Sequence, residues 1–334
     1  MKWYLEVGPE GDVVISTRIR LARNVAEYPF PCKMTVEQGK KVAQLARASL
    51  NGSENYEFID MQKLTPARAM SLAERHLISP EFAQNRDGRA LLLSEDESVS
   101  IMLNEEDHIR IQTMFSGMQL EKALEAAGNI DDIMDAKLNY AFNENLGYLT
   151  QCPTNLGTGL RASLMLHLPA IAQSGAIPNL ANAVSKLGFT VRGTYGEGSE
   201  AKGAFFQISN QITLGLSEEE AIRNLKDVAG QIISQERAAR ENLKKLGPQL
   251  EDRVWRSYGA LSQARMLSAD EFMSLISDVR LGVTAGLIQN LKLEEIHLLI
   301  YEVQPASLVA AAGRNLDAQG RDVLRAGIVR EKIR

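Results

Sequence analysis

Residues 151–161, Gln-Cys-Pro-Thr-Asn-Leu-Gly-Thr-Gly-Leu-Arg, constrain this chain more than any other stretch. Pro153 has no amide hydrogen, and Gly157 and Gly159 accept backbone angles closed to other residues, so the segment is a loop. The apolar run behind it predicts a helix over 161–173 capped by Thr158, and a second over 178–187 stopped at Gly188. Backbone amides at a helix start favour anions, and Arg161 adds a permanent fork of donors. The loop reads as an anion site with a thiol, Cys152, at its edge.

Thr35-Val-Glu-Gln38 opens a helix with a capping-box pattern, and Asn51-Gly52 closes it. Residues 90–94 and 98–103 read as strands, about 120–144 as helix-rich, and 189–192 and 205–214 as strands rich in Thr, Val, Ile and Phe. Ser217-Glu-Glu-Glu220 caps a long amphipathic helix running to Leu246, where Gly247-Pro248 ends it. Residues beyond this break keep helical periodicity with few strand formers, and Ser268-Ala-Asp-Glu271 is a further capping pattern. The chain therefore divides into an α+β domain, 1–245, and an all-helical domain, 246–334.

With 334 residues and a net charge of −5, the chain has enough apolar content for real cores and no basic run suited to nucleic acid. No stretch reaches membrane-helix length, and Met1-Lys2-Trp3-Tyr4-Leu5-Glu6-Val7 lacks the apolar core of a signal peptide. The expected setting is the cytoplasm, with no direct nucleic-acid or membrane partner. Cys32 and Cys152 have no metal-type spacing, and free thiols are expected in place of a disulfide. There is no Gly-x-x-x-x-Gly-Lys-Ser/Thr loop, His-Arg-Asp loop or Asp-Phe-Gly, and Gly193, Gly196 and Gly198 have the wrong order for a dinucleotide fingerprint.

Three further blocks accompany the 151–161 loop. They are Val14-Ile-Ser-Thr-Arg-Ile-Arg-Leu-Ala-Arg-Asn24, Asn104-Glu-Glu-Asp-His-Ile-Arg110 and Arg192-Gly-Thr-Tyr-Gly-Glu-Gly-Ser-Glu-Ala201, the last followed by Phe206-Gln-Ile-Ser-Asn210. In this order the blocks resemble the phosphagen (guanidino) kinase family, which includes arginine and creatine kinases, and within it the bacterial protein-arginine kinases. The resemblance implies an antiparallel sheet flanked by helices, with ATP and Mg²⁺ as cofactors and no metal ligands from the protein. It implies that Arg18, Arg20, Arg110, Arg161 and Arg192 surround the nucleotide phosphates. Arg suits that task because its planar fork bonds two oxygens at once and stays charged. Glu74-Arg-His-Leu-Ile78 resembles the segment whose histidine meets adenine, which makes His76 a nucleotide-site candidate.

The same resemblance selects Glu106 and Glu197 as a carboxylate clamp on the substrate guanidinium, with Glu105 and Asp107 as neighbours. A guanidinium has a pKa above about 12 and no free lone pair, so it attacks phosphorus only when held in line and relieved of a proton. Cys152 is expected beside it as a thiolate in an assisting role, without a phosphocysteine intermediate. His108 is expected to make structural hydrogen bonds, His167 to be a satisfied helix residue and His297 to pack.

The first block starts near Val13, which leaves no room for the small helical domain that covers a free guanidino substrate in metabolic relatives. Tyr195 stands where arginine kinases commonly have Arg. Both features favour an arginine projecting from a protein. Arg321-Asp322-Val-Leu-Arg325-Ala326 resembles a motif that recognises phosphoarginine as an allosteric ligand. On pattern alone, Arg321 and Arg325 are one helical turn apart and fit either a phosphate grip or an ordinary salt-bridged helix. The resemblance further implies a homodimer formed through the helical domain. Implied partners are protein substrates with exposed arginines, among them a stress-gene repressor, a zinc-binding activator protein and a Clp ATPase-protease. A small-molecule guanidino kinase and a non-catalytic phosphoarginine-binding adaptor are the competing readings.

Overall fold

Ile19 and Leu21 of strand β1 (Val14–Arg23) are fully buried, while Arg18 and Arg20, which alternate with them, point to the opposite side. At the centre of the sheet, this period of two puts apolar side chains on one face and the arginines on the other. The computed structural model describes residues 2–53, 55–193 and 202–333.

Helix α1 (Val36–Ser49) begins at the Thr35 capping box, in which Thr35 and Gln38 satisfy each other's amides. Strand β2 (Tyr56–Asp60) leads to α2 (Pro66–Glu74) and α3 (Pro80–Gln84), each started by a proline, and then to β3 (Ala90–Ser94), β4 (Val99–Leu103) and β5 (Ile109–Ser116). Helix α4 (Leu120–Asp135) precedes a short hairpin, β6 (Phe142–Asn143) and β7 (Gly147–Tyr148), and β8 (Leu160–His167) follows the Cys152 loop. Next come α5 (Pro169–Gln173), α6 (Ile177–Ser185), β9 (Phe189–Gly193), β10 (Phe205–Asn210) and α7 (Glu218–Lys244), the last with the expected Ser217 capping box.

Eight strands form one sheet in the order β2-β3-β4-β5-β1-β8-β10-β9, every pairing antiparallel. Its apolar face, with Ile19, Leu21, Ile111, Ala162 and Leu164, packs against Ala123 and Ala127 of α4 and Leu225, Ala229 and Ile232 of α7. The α+β architecture expected from the sequence is the one observed.

One local expectation is overturned. Residues 160–167 form a central strand, and only Pro169–Gln173 of the anticipated 161–173 helix is helical. Leu, Ala and Met favour a helix in isolation. However, Leu160, Ala162, Leu164 and Leu166 are buried at alternate positions between β1 and β10, and the ladder partners decide the outcome. Thr158 therefore caps no helix; its hydroxyl accepts from the Leu160 amide at 3.2 Å. His167 ends this strand, where its ring meets Arg280 at 2.8 Å and Ser277 at 2.8 Å.

The C-terminal region contains α8 (Pro248–Gln263), α9 (Ala269–Thr284), α10 (Leu293–Glu302), α11 (Pro305–Ala312) and α12 (Ala318–Lys332). Val254, Phe272, Ile276, Leu299 and Val329 form a second core that takes in Ile15 and Phe205 from the sheet. Buried polar groups cross the same junction. Arg280 of α9 donates to Gly11 O at 2.7 Å and Asp12 O at 2.9 Å, and Arg240 of α7 donates to Thr284 Oγ1 of α9 at 3.3 Å. Burial pulls the Arg280 guanidinium down to about 9, with Arg240 adding repulsion.

Candidate active site

Strand register gathers the arginines. Arg20 pairs with Arg161 across β1 and β8, and Arg18 pairs with Ser163. Ala22 pairs with Arg110 on β5, and Gln207 of β10 pairs with Arg192 on β9. The even positions of β1 and β5 thus share a face with the odd positions of β8, bringing distant blocks onto one cationic floor. Arg18 donates to Gln207 Oε1 at 2.8 Å and leans on Ser163 Oγ at 3.4 Å. Arg20 Nε is buried and has no hydrogen-bond partner among the described residues.

Burial, together with the charges of Arg110 and Arg161, pulls Arg18 down to about 10. Arg20 is driven below the normal arginine range by burial and by Arg18, Arg110 and Arg161, and Arg161 by burial, Arg192 and Arg110. Arg110 is the exception. Burial opposes its charge, but Glu105, Glu106 and Asp107 outweigh it and raise the guanidinium. Its two ends are bound by Glu105 at 2.5 Å and Glu106 at 2.6 Å. Arg18, Arg20 and Arg161 have no ion pair with a carboxylate among the described residues, the electrostatics of a polyanion site.

Two adjoining hollows lie over this floor. The larger, about 590 Å³, is lined by Arg18, Arg20, His76, Arg110, Arg192 and Gln207 among others. The smaller, about 220 Å³, is lined by Cys152, Thr154, Asn155 and Arg161 and shares Arg20, Glu106, Arg110 and Arg192 with its neighbour. His76 lines the larger hollow and not the smaller, and burial and then Arg18 push its imidazole down to about 3, a neutral ring at any ordinary pH.

The Cys152 loop is held from three sides. Pro153–Asn155 is a single 3-10 turn. Thr213 Oγ1 donates to Thr154 O at 3.0 Å and Leu156 O at 2.5 Å. Gly157 has a φ of 96° and lies so close to β10's exit that a Cβ would stand 2.3 Å from Thr213 O. Asp107 Oδ1 accepts from Asn24 Nδ2 at 2.7 Å and from the Gln151 amide at 2.8 Å, which ties three sequence blocks at one buried carboxylate. Burial pushes the Asp107 carboxyl up. The loop aims Cys152 Sγ, 3.0 Å from Thr154 Oγ1, into the smaller hollow beside Glu106. Glu106 Oε2 is held by Arg110, and Oε1 has no hydrogen bond among the described residues.

Arg18, Arg20, His76, Glu106, Arg110, Cys152, Arg161 and Arg192 are therefore together in one cleft. Glu197 and Tyr195 lie outside the described residues. His108 is structural: Nδ1 accepts from the Val25 amide at 3.0 Å, and Nε2 donates to Pro29 O at 2.9 Å. His297 is buried on α10, where it meets the Glu6 backbone. Sequence reasoning missed Gln207, Ser163 and the Asp107–Asn24 tie; strand alternation through Phe206-Gln-Ile-Ser209 was the signal for Gln207.

The C-terminal triad lies elsewhere, on α12. Arg325 is 1% exposed and donates to Val303 O at 2.9 Å, Leu267 O at 2.6 Å and Asp322 Oδ1 at 2.7 Å. Arg321 is half-buried and donates to Leu316 O at 3.1 Å. The two arginines share a helix but make different contacts.

Comparison with known proteins agrees with this layout. Residues 37–239 match the ATP:guanido phosphotransferase C-terminal catalytic domain, and residues 247–334 match the protein-arginine kinase McsB C-terminal domain. A protein-arginine kinase of Geobacillus kaustophilus is 48% identical over 99% of this chain and 93% of its own length. One from Caldanaerobacter subterraneus is 50% identical over 96% and 97%. Among solved structures, lombricine kinase superposes with a TM-score of 0.62 at 28% identity, over 71% of this chain and 69% of that one. The duplicated taurocyamine kinase of Schistosoma mansoni gives 0.61 at 27% identity, over 68% of this chain, which spans about a third (33%) of that longer protein.

Proposed function

The chain belongs to the ATP:guanido phosphotransferase family, and from that footing we propose that it is an ATP-dependent protein-arginine kinase. It transfers the γ-phosphoryl group of ATP to arginine side chains of proteins. The observation that carries this reading is the cationic floor continuing into the smaller hollow, which both Glu106 and Cys152 line.

Phosphoryl transfer needs spread negative charge neutralised and two reactants aligned. Arg18, Arg20, Arg110, Arg161 and Arg192 bind the polyphosphate, and Arg20 Nε, buried and without a partner among the described residues, fits an anion. His76 takes the adenine end. Mg²⁺ would be held on the nucleotide phosphates and would share the neutralisation of their charge with the arginines. Glu106, with Glu197 as the second carboxylate, orients the target guanidinium by bidentate hydrogen bonds and accepts its proton as the nitrogen–phosphorus bond forms. Cys152 assists from the side without forming a covalent intermediate. The 1–245 domain performs this chemistry, and the 246–334 domain dimerises and binds phosphoarginine through Arg321, Asp322 and Arg325.

The kinase acts in the bacterial cytoplasm, in protein quality control and stress response. It marks proteins for a Clp ATPase-protease, acts on a stress-gene repressor and works with a zinc-binding activator. The test is incubation with ATP and either free arginine or an unfolded protein, followed by acid-lability and mass analysis. Acid-labile phosphate on protein arginines is expected; phosphate on free arginine alone would make this a small-molecule guanidino kinase.

A further inference from the structure

The adenine end of the cleft is not built by the sheet domain alone. Glu74, the last residue of α2, turns both carboxylate oxygens toward the first turn of α11. Oε1 accepts from the Ala306 amide at 2.7 Å, and Oε2 accepts from the Ser307 amide at 2.7 Å and the Ser307 hydroxyl at 2.9 Å. Gln304, at the N-cap of α11, supplies no side-chain cap, so Glu74 performs that service from another domain.

Two residues beyond Glu74, His76 has a φ of 60°, a left-handed angle that a non-glycine residue keeps only when its surroundings hold it. Those surroundings include the helical domain. The Tyr301 ring of α10 meets the His76 ring edge-on at 6.1 Å. Tyr301 is itself wedged against Tyr4 at 4.8 Å and Trp3 at 5.8 Å. Val303, between α10 and α11, receives the Arg325 hydrogen bond from α12. The α10–α11 elbow therefore touches α12 on one side and the His76 segment on the other.

We propose that Glu74 and Tyr301 are positioning residues for the nucleotide, holding His76 in its binding pose so that the helical domain sets the affinity for ATP. This rests on the kinase reading above and on the placement of His76 at adenine. Glu74 acts through a charge-assisted cap, and Tyr301 acts through ring contact; neither lines the cleft. Any ligand that shifts α12 would reach the nucleotide through Val303, α11 and Glu74.

The test uses the full chain and calorimetric titration with MgATP, alongside KM values for ATP and for an unfolded protein substrate. Glu74→Gln turns an amide NH₂ toward helix N–H donors, and Tyr301→Leu removes the ring contact. Each is expected to weaken ATP binding about tenfold, the scale of one lost charge-assisted hydrogen bond, with the KM for the protein substrate unchanged. If Glu74→Gln does not fold, Tyr301→Leu carries the same test with the cap intact. In a His76→Ala background, Glu74→Gln should bring no further loss, because both act through one ring. General destabilisation would instead give multiplying losses, and that outcome overturns the proposal. So does ATP binding by both variants within about twofold of a wild-type chain that binds normally. A wild-type chain that binds no MgATP overturns the kinase reading and this proposal with it.

Discussion

Arg20 of β1 and Arg161 of β8 are cross-strand partners in the sheet register, two cations side by side on the floor of the cleft. Like charges directly opposite each other destabilise a sheet. The fold retains this cost, and a bound polyphosphate would remove it.

Replacing one of the pair should separate stability from binding. Arg161→Met is expected to stabilise the unliganded protein by up to about 1 kcal/mol. It should also abolish most of the ligand-induced stabilisation, which for wild type is about 2.7 kcal/mol at a hundred times the dissociation constant. Urea unfolding with and without MgATP measures both. A variant that is less stable yet still responds to ATP would contradict the assignment of Arg161.

Glu106→Gln should lower turnover at least about a hundredfold through lost orientation and proton acceptance. ATP binding should persist, because Gln keeps the size of the side chain and leaves every arginine of the floor in place. Single-turnover phosphorylation and an ATP titration on the same sample report the two effects. Near-normal turnover would remove Glu106 from the clamp.

Cys152 lines the smaller hollow, whereas Cys32 is exposed outside it. ATP together with an arginine substrate should protect Cys152 from alkylation and leave Cys32 labelling unchanged, as peptide mass analysis would reveal. Cys152→Ser should weaken activity without abolishing it. Equal protection at both thiols would point to a global effect instead.

Acid should destabilise this protein earlier than its carboxylates alone would. Burial pushes His108 and His167 below the normal histidine range, and His297 down to about 3, with Arg280 adding to the effect at His167 and His297. Their folded-state values lie below the unfolded value near 6.5, so the unfolded chain takes up protons that the folded chain refuses. Stability is therefore fully present above about pH 6.5 and is lost below it, by up to about 1.4 kcal/mol per pH unit for each buried ring. Denaturation midpoints at pH 7.5 and 5.5 should differ, and His297→Gln should reduce the difference. Equal midpoints would show that the rings are protonated in the fold.

On α12, the two arginines should behave differently. Arg325→Ala leaves Val303 O, Leu267 O and Asp322 without their donor and should destabilise the helical core by about 3 kcal/mol. Arg321→Ala should leave the melting temperature nearly unchanged while removing phosphoarginine affinity, measured by calorimetry in a Glu106→Gln background. Retained affinity in Arg321→Ala would exclude that side chain from the ligand site.

Much of this molecule was legible from local pattern. Thr35 with Gln38 and Ser217 with Glu220 fixed two helix starts, because a capping box is completed within four residues. Pro153 and Gly157 fixed the Cys152 loop, since a missing amide and a φ of 96° are backbone matters. The four motif blocks named the residues that meet in the cleft.

Tertiary structure decided what depends on distant neighbours. Leu160–His167 has helix-forming composition, yet it is a strand because β1 and β10 offer ladders on both sides. Arg18 and Arg23 belong to one motif with one chemistry. Strand alternation nevertheless leaves Arg18 over the cleft, while Arg23 is buried against Asp131 at 2.6 Å beneath Tyr148. Tyr301 reaches His76 only because α10 folds back over the sheet domain, a contact between residues with no local relationship in the chain. Propensity and capping act over a few residues and can be read in order. Burial, register and charge pairing depend on which surfaces meet, and only the folded chain brings those surfaces together.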